Sequence, residues 1–257
     1  MIKLENLSKN FGSLKAVDNI TLQIPDGQIC GYLGPNGAGK TTTVKLLTTM
    51  LKPDAGKAWI NGFDIITQSF EVKKSIGYVP ESGKLYKSLT PYEYLMFTGS
   101  LYNVEQEILE KRINEFAKFF GFENQIHTRM ISFSKGEKQR VVITSALIHN
   151  PSVLFLDEPL SGLDATTVLK FKELLRDMAN KGKTIFYCSH ILEVVEKLCD
   201  RVVIIDKGRI IGDGSVNELE NMTKQSSLED VFRQLTDAGD VGSAVAALSK
   251  SINNQGN

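Results

Sequence analysis

Apolar and polar positions alternate at the start of the chain. Ile2 and Leu4 are separated by a charged residue, and Ile20, Leu22 and Ile24 repeat the same period of two. That period predicts strands with one face on a core. Pro25-Asp26-Gly27 marks a turn, and Gln28-Ile29-Cys30-Gly31-Tyr32-Leu33 follows as a mostly apolar strand. A glycine-rich turn comes next, then a helix through Val44, Leu46 and Leu47 that is expected to end before Pro53. Trp59-Ile60-Asn61-Gly62 reads as a strand and turn, and Ile76-Gly77-Tyr78-Val79-Pro80 as a short strand stopped by proline.

From about Thr90 the period lengthens to that of a helix. Thr90-Pro91-Tyr92-Glu93 matches a capping box, with proline in the first turn. Helical periodicity continues through Phe116, Phe119 and Phe120. A further helix starting near Ser134 carries Val141, Val142, Ala146 and Leu147 and stops before Asn150-Pro151. Three continuous apolar runs follow, separated by helical patterns: Val153–Leu156, Thr184–Tyr187 and Val202–Ile205. Such runs predict a parallel sheet covered on both faces. In the tail, Leu228, Val231, Phe232 and Leu235 fall at i, i+3, i+4 and i+7, so one short amphipathic helix is expected, followed by a frayed polar end.

Composition narrows the classes. A chain of 257 residues that is 42% hydrophobic can bury a core, as one domain or one domain with subdomains. Lys and Arg total 30, as do Asp and Glu, so the formal net charge is zero and no nucleic-acid partner is expected. None of Cys30, Cys188 and Cys199 forms a close pair with metal-ligand spacing, which suits reduced thiols in a cytosolic protein. No signal peptide is recognised, and no apolar run approaches the roughly 20 residues that span a bilayer. The chain is expected not to cross a membrane by itself.

The chemistry concentrates in four stretches. Gly34-Pro35-Asn36-Gly37-Ala38-Gly39-Lys40-Thr41 fits G-x-x-x-x-G-K-[ST] between a strand and a helix. Glycines let consecutive backbone N–H groups wrap a phosphate, and the helix N-terminus adds its positive end. Lys40 would reach the β- and γ-phosphates, and the Thr41 hydroxyl would bind Mg²⁺. The bland alternative is a glycine-rich turn that binds nothing; the flanking strand and helix argue against it. Asp157-Glu158 closes an apolar strand. There Asp157 can face the phosphate loop and hold Mg²⁺ through water, while Glu158 polarises an attacking water. Ser189-His190 ends the next strand, where ligands of such sheets sit, and His190 is expected to touch the γ-phosphate. A lone histidine is more often structural. Residues 133 to 140 read FSKGEKQR. The Ser134 hydroxyl, the Gly136 N–H and the helix start make a second anion site, or only the polar start of a surface helix.

Together, and in this order with Ser161-Gly162-Leu163-Asp164 before the histidine, the motifs resemble those of the ATP-binding cassette (ABC) family. The resemblance runs from Met1 to about Gly214. It implies that two cassettes stack head to tail and trap two ATP molecules, each with Mg²⁺, the signature of one chain facing the phosphate loop of the other. It implies nucleotide contacts from Gly34 through Thr42 (Gly34, Pro35, Asn36, Gly37, Ala38, Gly39, Lys40, Thr41 and Thr42), with Phe11 stacked on adenine and Val17 beside it. Ser134, Gly136 and Glu137 would reach the partner's nucleotide. Asp164 would sit at the seam between cassettes. Lys40, Glu158 and His190 carry catalysis, and Thr41, Asp157 and Glu81 hold the metal.

Two motifs depart from the family pattern. The usual L-S-G-G-Q is Phe133-Ser134-Lys135-Gly136-Glu137, and the loop glutamine after Tyr78-Val79-Pro80 is Glu81, which offers an oxygen but no amide. Hydrolysis is expected to survive, because Lys40, Asp157, Glu158 and His190 are all present. Both departures, with Leu85-Tyr86, Leu89-Thr90-Pro91-Tyr92-Glu93-Tyr94-Leu95 and Ser227-Leu228-Glu229-Asp230-Val231-Phe232, resemble the exporter branch that serves a separate permease for antibiotics, peptides, polysaccharides or sodium. The expected partners are a second cassette and integral membrane permease subunits, which would place the chain in the cytoplasm on the inner face of the membrane. Tyr86, Tyr92, Tyr94 and Phe97 are candidates for the permease seat; the alternative is that they form the helical subdomain's own core.

The fold class expected is therefore α/β: a P-loop NTPase core with a mostly parallel sheet, an N-terminal antiparallel β-subdomain and an inserted helical subdomain at about 85–150. The ATPase domain would span 1–225 and the tail 226–257. A P-loop GTPase is disfavoured because Asn180-Lys181-Gly182-Lys183 lacks the aspartate of a guanine motif. A chromosome-maintenance ATPase would need coiled-coil arms, and only 93 residues separate Lys40 from Ser134. A translation-regulating relative would carry two cassettes. A soluble regulatory ATPase without a permease is the class the residues oppose least.

Overall fold

The computed structural model describes residues 1–83 and 85–236; the end expected to fray lies outside them. In chain order the strands and helices are β1 (Ile2–Phe11), β2 (Leu14–Ile24), β3 (Ile29–Leu33), α1 (Lys40–Leu47), β4 (Ala55–Ile60), β5 (Phe63–Asp64), α2 (Ser69–Ser75) and β6 (Ile76–Val79). Then come α3 (Pro91–Leu101), α4 (Gln106–Phe120), α5 (Lys135–Leu147), β7 (Val153–Asp157), α6 (Ala165–Asn180) and β8 (Thr184–Cys188). The chain continues with α7 (Leu192–Leu198), β9 (Arg201–Asp206), β10 (Arg209–Gly214), α8 (Val216–Thr223) and α9 (Leu228–Leu235).

Two sheets form. One is antiparallel, in the order β2-β1-β4-β5, and the other runs β10-β9-β3-β8-β7-β6, parallel except for the edge pair β10 and β9. Every residue of β3, β7 and β8 is buried. Successive side chains divide strictly between two cores. Leu154, Leu156, Ile185 and Tyr187 face the core shared with α4, α5 and α6, while Val153, Phe155, Phe186 and Cys188 face the core shared with α1 and the antiparallel sheet. This is why those strands read as unbroken apolar runs: neither face meets water.

The helical insertion has local causes. Thr90 and Glu93 close the expected capping box of α3, with Thr90 Oγ1 accepting from the Glu93 N–H at 3.2 Å. The helical period does not run unbroken to Phe120. It stops at Leu101, and Asn103 turns the chain at φ 56° before α4 begins. The four aromatics considered for a permease seat split. Tyr86 and Phe97 are 63% and 50% exposed, whereas Tyr92 and Tyr94 pack on the core. Sequence periodicity did not reveal α2, which is short and mostly polar, or the antiparallel edge strand β10, in which two glycines interrupt a short run. The tail helix α9 does not stand apart: Leu228 and Val231 are fully buried in the larger core.

Phe171 on α6 is fully buried and stacks near Phe120 of α4, with ring centroids 6.3 Å apart. It joins the helical insertion to the sheet. Phe171→Ala is expected to lower stability by about 3–5 kcal/mol, measured by equilibrium denaturation in urea.

Candidate functional site

β3 ends at Leu33 and the chain turns through Gly34–Gly39 into α1. Two glycines there have no substitute. A Cβ on Gly39, at φ 109°, would lie 2.1 Å from the Ala16 carbonyl oxygen, and one on Gly34 would lie 2.4 Å from that of Ile205. The loop is thus pressed against β2 and β9 with its inner side left as bare backbone. Lys40 folds back across it and donates to the Gly34 and Pro35 carbonyls at 2.6 and 3.1 Å. The ammonium is therefore held over the loop's mouth.

The second component comes from β7. Asp157 is 2% exposed and accepts a hydrogen bond from Thr41 Oγ1 at 3.1 Å. Burial holds its carboxyl above the ordinary value of 3.8; the Thr41 hydroxyl and the Lys40 charge oppose this, and the nearby Glu81 and Glu158 charges add to it. Glu158 takes a left-handed backbone, φ 49°, and its N–H donates to the Cys188 carbonyl at 3.0 Å on β8. The side chain is thereby turned away from Asp157. Its Oε1 lies 2.7 Å from His190 Nδ1, and its Oε2 accepts from Ser189 Oγ at 3.2 Å. A non-glycine residue in this region signals a constraint that its surroundings impose.

These groups line one cavity of about 710 Å³, open at one side. It takes in Phe11, the loop residues Gly34, Pro35, Asn36, Gly37 and Gly39, then Lys40, Thr41 and Thr42, and Glu81, Asp157, Glu158 and His190. Phe11 is 49% exposed, so it is a wall residue and not a core aromatic. Two of the expected residues, Val17 and Ala38, are absent from the cavity lining. Val17 does not line the cavity; it is fully buried under the antiparallel sheet, and Leu14 and Ala16 form that wall instead. The register shifts of β1 against β2 near this point leave Ala16 and Val17 both buried, so strand alternation does not show which one faces the site. Ala38 turns its methyl inward, 2% exposed, and only its backbone belongs to the loop. Ser189, Leu192 and Phe232 line the cavity too; the last was visible in the sequence only as part of an amphipathic tail.

The donor set fits a magnesium nucleotide. Thr41, Asp157 and Glu81 offer only oxygens to the cavity. Mg²⁺ suits one or two protein carboxylates shared with phosphates and water.

Ser134, Gly136 and Glu137 do not line this cavity. Ser134 caps α5, accepting from the Glu137 N–H at 3.2 Å, while Glu137 Oε2 accepts from the Ser134 N–H at 2.7 Å. That bond, first among the causes, holds the Glu137 carboxyl below its ordinary value. Lys135 is exposed, and its Nζ donates to Ser161 Oγ at 2.7 Å. A Cβ on Gly136 would lie 2.3 Å from the Gly162 carbonyl oxygen. Asp164 caps α6 and pairs with Arg140 at 2.6 Å.

Comparison with known proteins agrees with this layout. The model of the ABC transporter family matches residues 17–161. The ABC transporter ATP-binding protein NatA of Bacillus subtilis (strain 168) is 37% identical over 238 residues, covering 90% of this chain and 96% of the relative. The linearmycin resistance ATP-binding protein LnrL of Bacillus subtilis (strain 168) is 36% identical over 85% of this chain and 70% of its own. Among solved structures, a dimeric post-hydrolysis ATP-binding cassette bound to ADP and Pi gives a TM-score of 0.77 at 27% identity, covering 84% of this chain and 98% of that one.

Asp157→Asn removes a carboxylate that burial disfavours when charged. The folded-state value is raised, so wild-type stability falls as pH climbs above 3.8. The variant is therefore expected to melt higher than wild type at neutral pH, with the gain vanishing below that value. Calorimetry across pH checks this.

Proposed function

The chain belongs to the ABC transporter family and is an ATPase subunit, and from that premise we propose how its residues divide the work. Two cassettes close on ATP and Mg²⁺, and a separate membrane permease is driven by that closure. The observation that carries the hydrolytic part is the split of two adjacent carboxylates: Asp157 bonded to Thr41, and Glu158 bonded to His190 and Ser189, in the cavity that holds the phosphate loop.

Asp157, Thr41 and Glu81 would hold Mg²⁺, which would offset the charge of the phosphates. Lys40, already over the loop, exchanges two carbonyl acceptors for phosphate oxygens. The Gly34–Gly39 backbone contributes N–H groups without side chains in the way. Glu158 accepts the proton of the attacking water, and His190 orients Glu158 and meets the γ-phosphate. Phe11 lies under the base. Ser134 and Gly136 contribute from the opposite cassette, because in their own chain they stand outside the cavity. A solved relative that is a dimer bound to ADP and Pi supports both the pairing and the chemistry.

Export is the direction this reading adopts. Its support is the exporter-like pattern of Glu81, Glu137 and Ser227–Phe232, together with the resistance protein among the relatives. No helix among the described residues is long and apolar enough to cross a membrane, so this reading assigns the membrane span to a partner. It places the ATPase domain at 1–225, with the helical insertion at about 85–150, on the cytoplasmic face.

Glu158→Gln is expected to cut ATP turnover by about 10²–10⁴-fold while MgATP binding persists and dimers accumulate. Phosphate release and analytical ultracentrifugation measure the two. Unchanged turnover would remove Glu158 from its role. Purification of the tagged chain from membranes in mild detergent tests the partner. A multi-helix membrane protein at fixed stoichiometry is expected, and a chain that stays alone and in the soluble fraction would remove the permease from the reading.

A further inference from the structure

The tail helix α9 contributes a side chain to the nucleotide cavity. Leu228 and Val231 are fully buried and fix the helix on the core, and Ser227 caps it by accepting from the Asp230 N–H at 3.2 Å. At its far end, Leu235 reaches β10: its Cδ1 is 3.0 Å from where a Gly212 Cβ would stand. The helix is thus anchored at both ends. Between the anchors, Phe232 faces the cavity, together with Leu192 and His190.

His190 needs such support. It is the first residue past Ser189 in a turn that leads directly into α7, its side chain is 71% exposed, and its one side-chain hydrogen bond runs to Glu158. No side chain caps α7; the Ile191 N–H is bonded to Ser189 Oγ at 3.1 Å. Leu192 opens α7, α9 lies against α7, and Leu192 and Phe232 both rest on the same core.

We propose that Phe232 is a positioning residue of the ATP site: with Leu192 it forms an apolar wall that holds the His190 turn toward Glu158 and the γ-phosphate. The tail helix is then part of the hydrolytic machinery and docks more firmly when nucleotide is bound. This rests on the cavity being the ATP site.

The test uses the full chain. Phe232→Ala is expected to lower kcat about tenfold, a loss typical of a misplaced catalytic group, with KM for ATP within about twofold of wild type. Phe232→Leu should restore most of the rate. Hydrogen exchange of residues 228–235 should slow in wild type when MgATP is added. A lowered melting temperature with kcat unchanged, or exchange in α9 indifferent to MgATP while MgATP binds, would overturn the proposal and leave the ATP site standing. Failure of wild type to bind MgATP in the same titration would overturn both.

Discussion

The carboxylate of Asp157 is taken out of water at the end of β7 and is met there by a hydroxyl from the first turn of α1. That contact joins the two halves of the nucleotide site, because Thr41 belongs to the helix that follows β3 and its loop, and Asp157 to a strand two places away in the sheet. For both to arrive, β3, β8 and β7 must be parallel and in register, which they are. A buried carboxylate with one hydroxyl partner is poorly satisfied. Its cost is tolerable if a divalent cation and phosphates complete its surroundings. The fold holds an acid whose charge burial opposes, an arrangement that clusters at functional sites.

The neighbouring carboxylate solves a different problem. Two acidic residues in succession at a strand end would repel each other if they shared an environment. The left-handed turn at Glu158 sends its side chain toward β8, where Ser189 and His190 receive it. Backbone geometry thus separates the carboxylate bonded to the phosphate-loop side, at Thr41, from the one bonded to Ser189 and His190 by one residue of sequence.

Much of this was legible in the sequence because local rules coincide with the global fold. The unbroken apolar runs announced strands buried on both faces, and the glycine loop announced a cradle. Strand ends carrying Asp157-Glu158 and Ser189-His190 fall on one edge of a parallel sheet by topology alone. What was not legible depends on packing. Val17 and Ala16 are both apolar, and only the irregular pairing of β1 with β2 decides which faces the cavity. The contribution of Phe232 was hidden for the same reason. An amphipathic stripe tells that a helix docks, and not what lies beside the docked face.

The signature stretch shows how one residue can satisfy two demands. Gly136 was read as a residue that lets a partner's phosphate approach. The structure supplies a second reason within one chain: the Gly162 carbonyl lies where a Cβ would stand. Lys135 strengthens the same contact through Ser161, and Arg140 adds the Asp164 pair one turn further on. The start of α5 is thereby fastened to the loop that runs from Glu158 to α6. A displacement of either segment must carry the other. Glu137 fits this picture better than a loss-of-contact argument would suggest. A capping box accepts Glu or Gln at its third position, and here the carboxylate is occupied by the Ser134 N–H. The departure from glutamine therefore leaves the helix start intact. What it changes is charge, by placing one negative group beside the N–H donors that would face a partner's phosphates, with Lys135 adjacent to offset it.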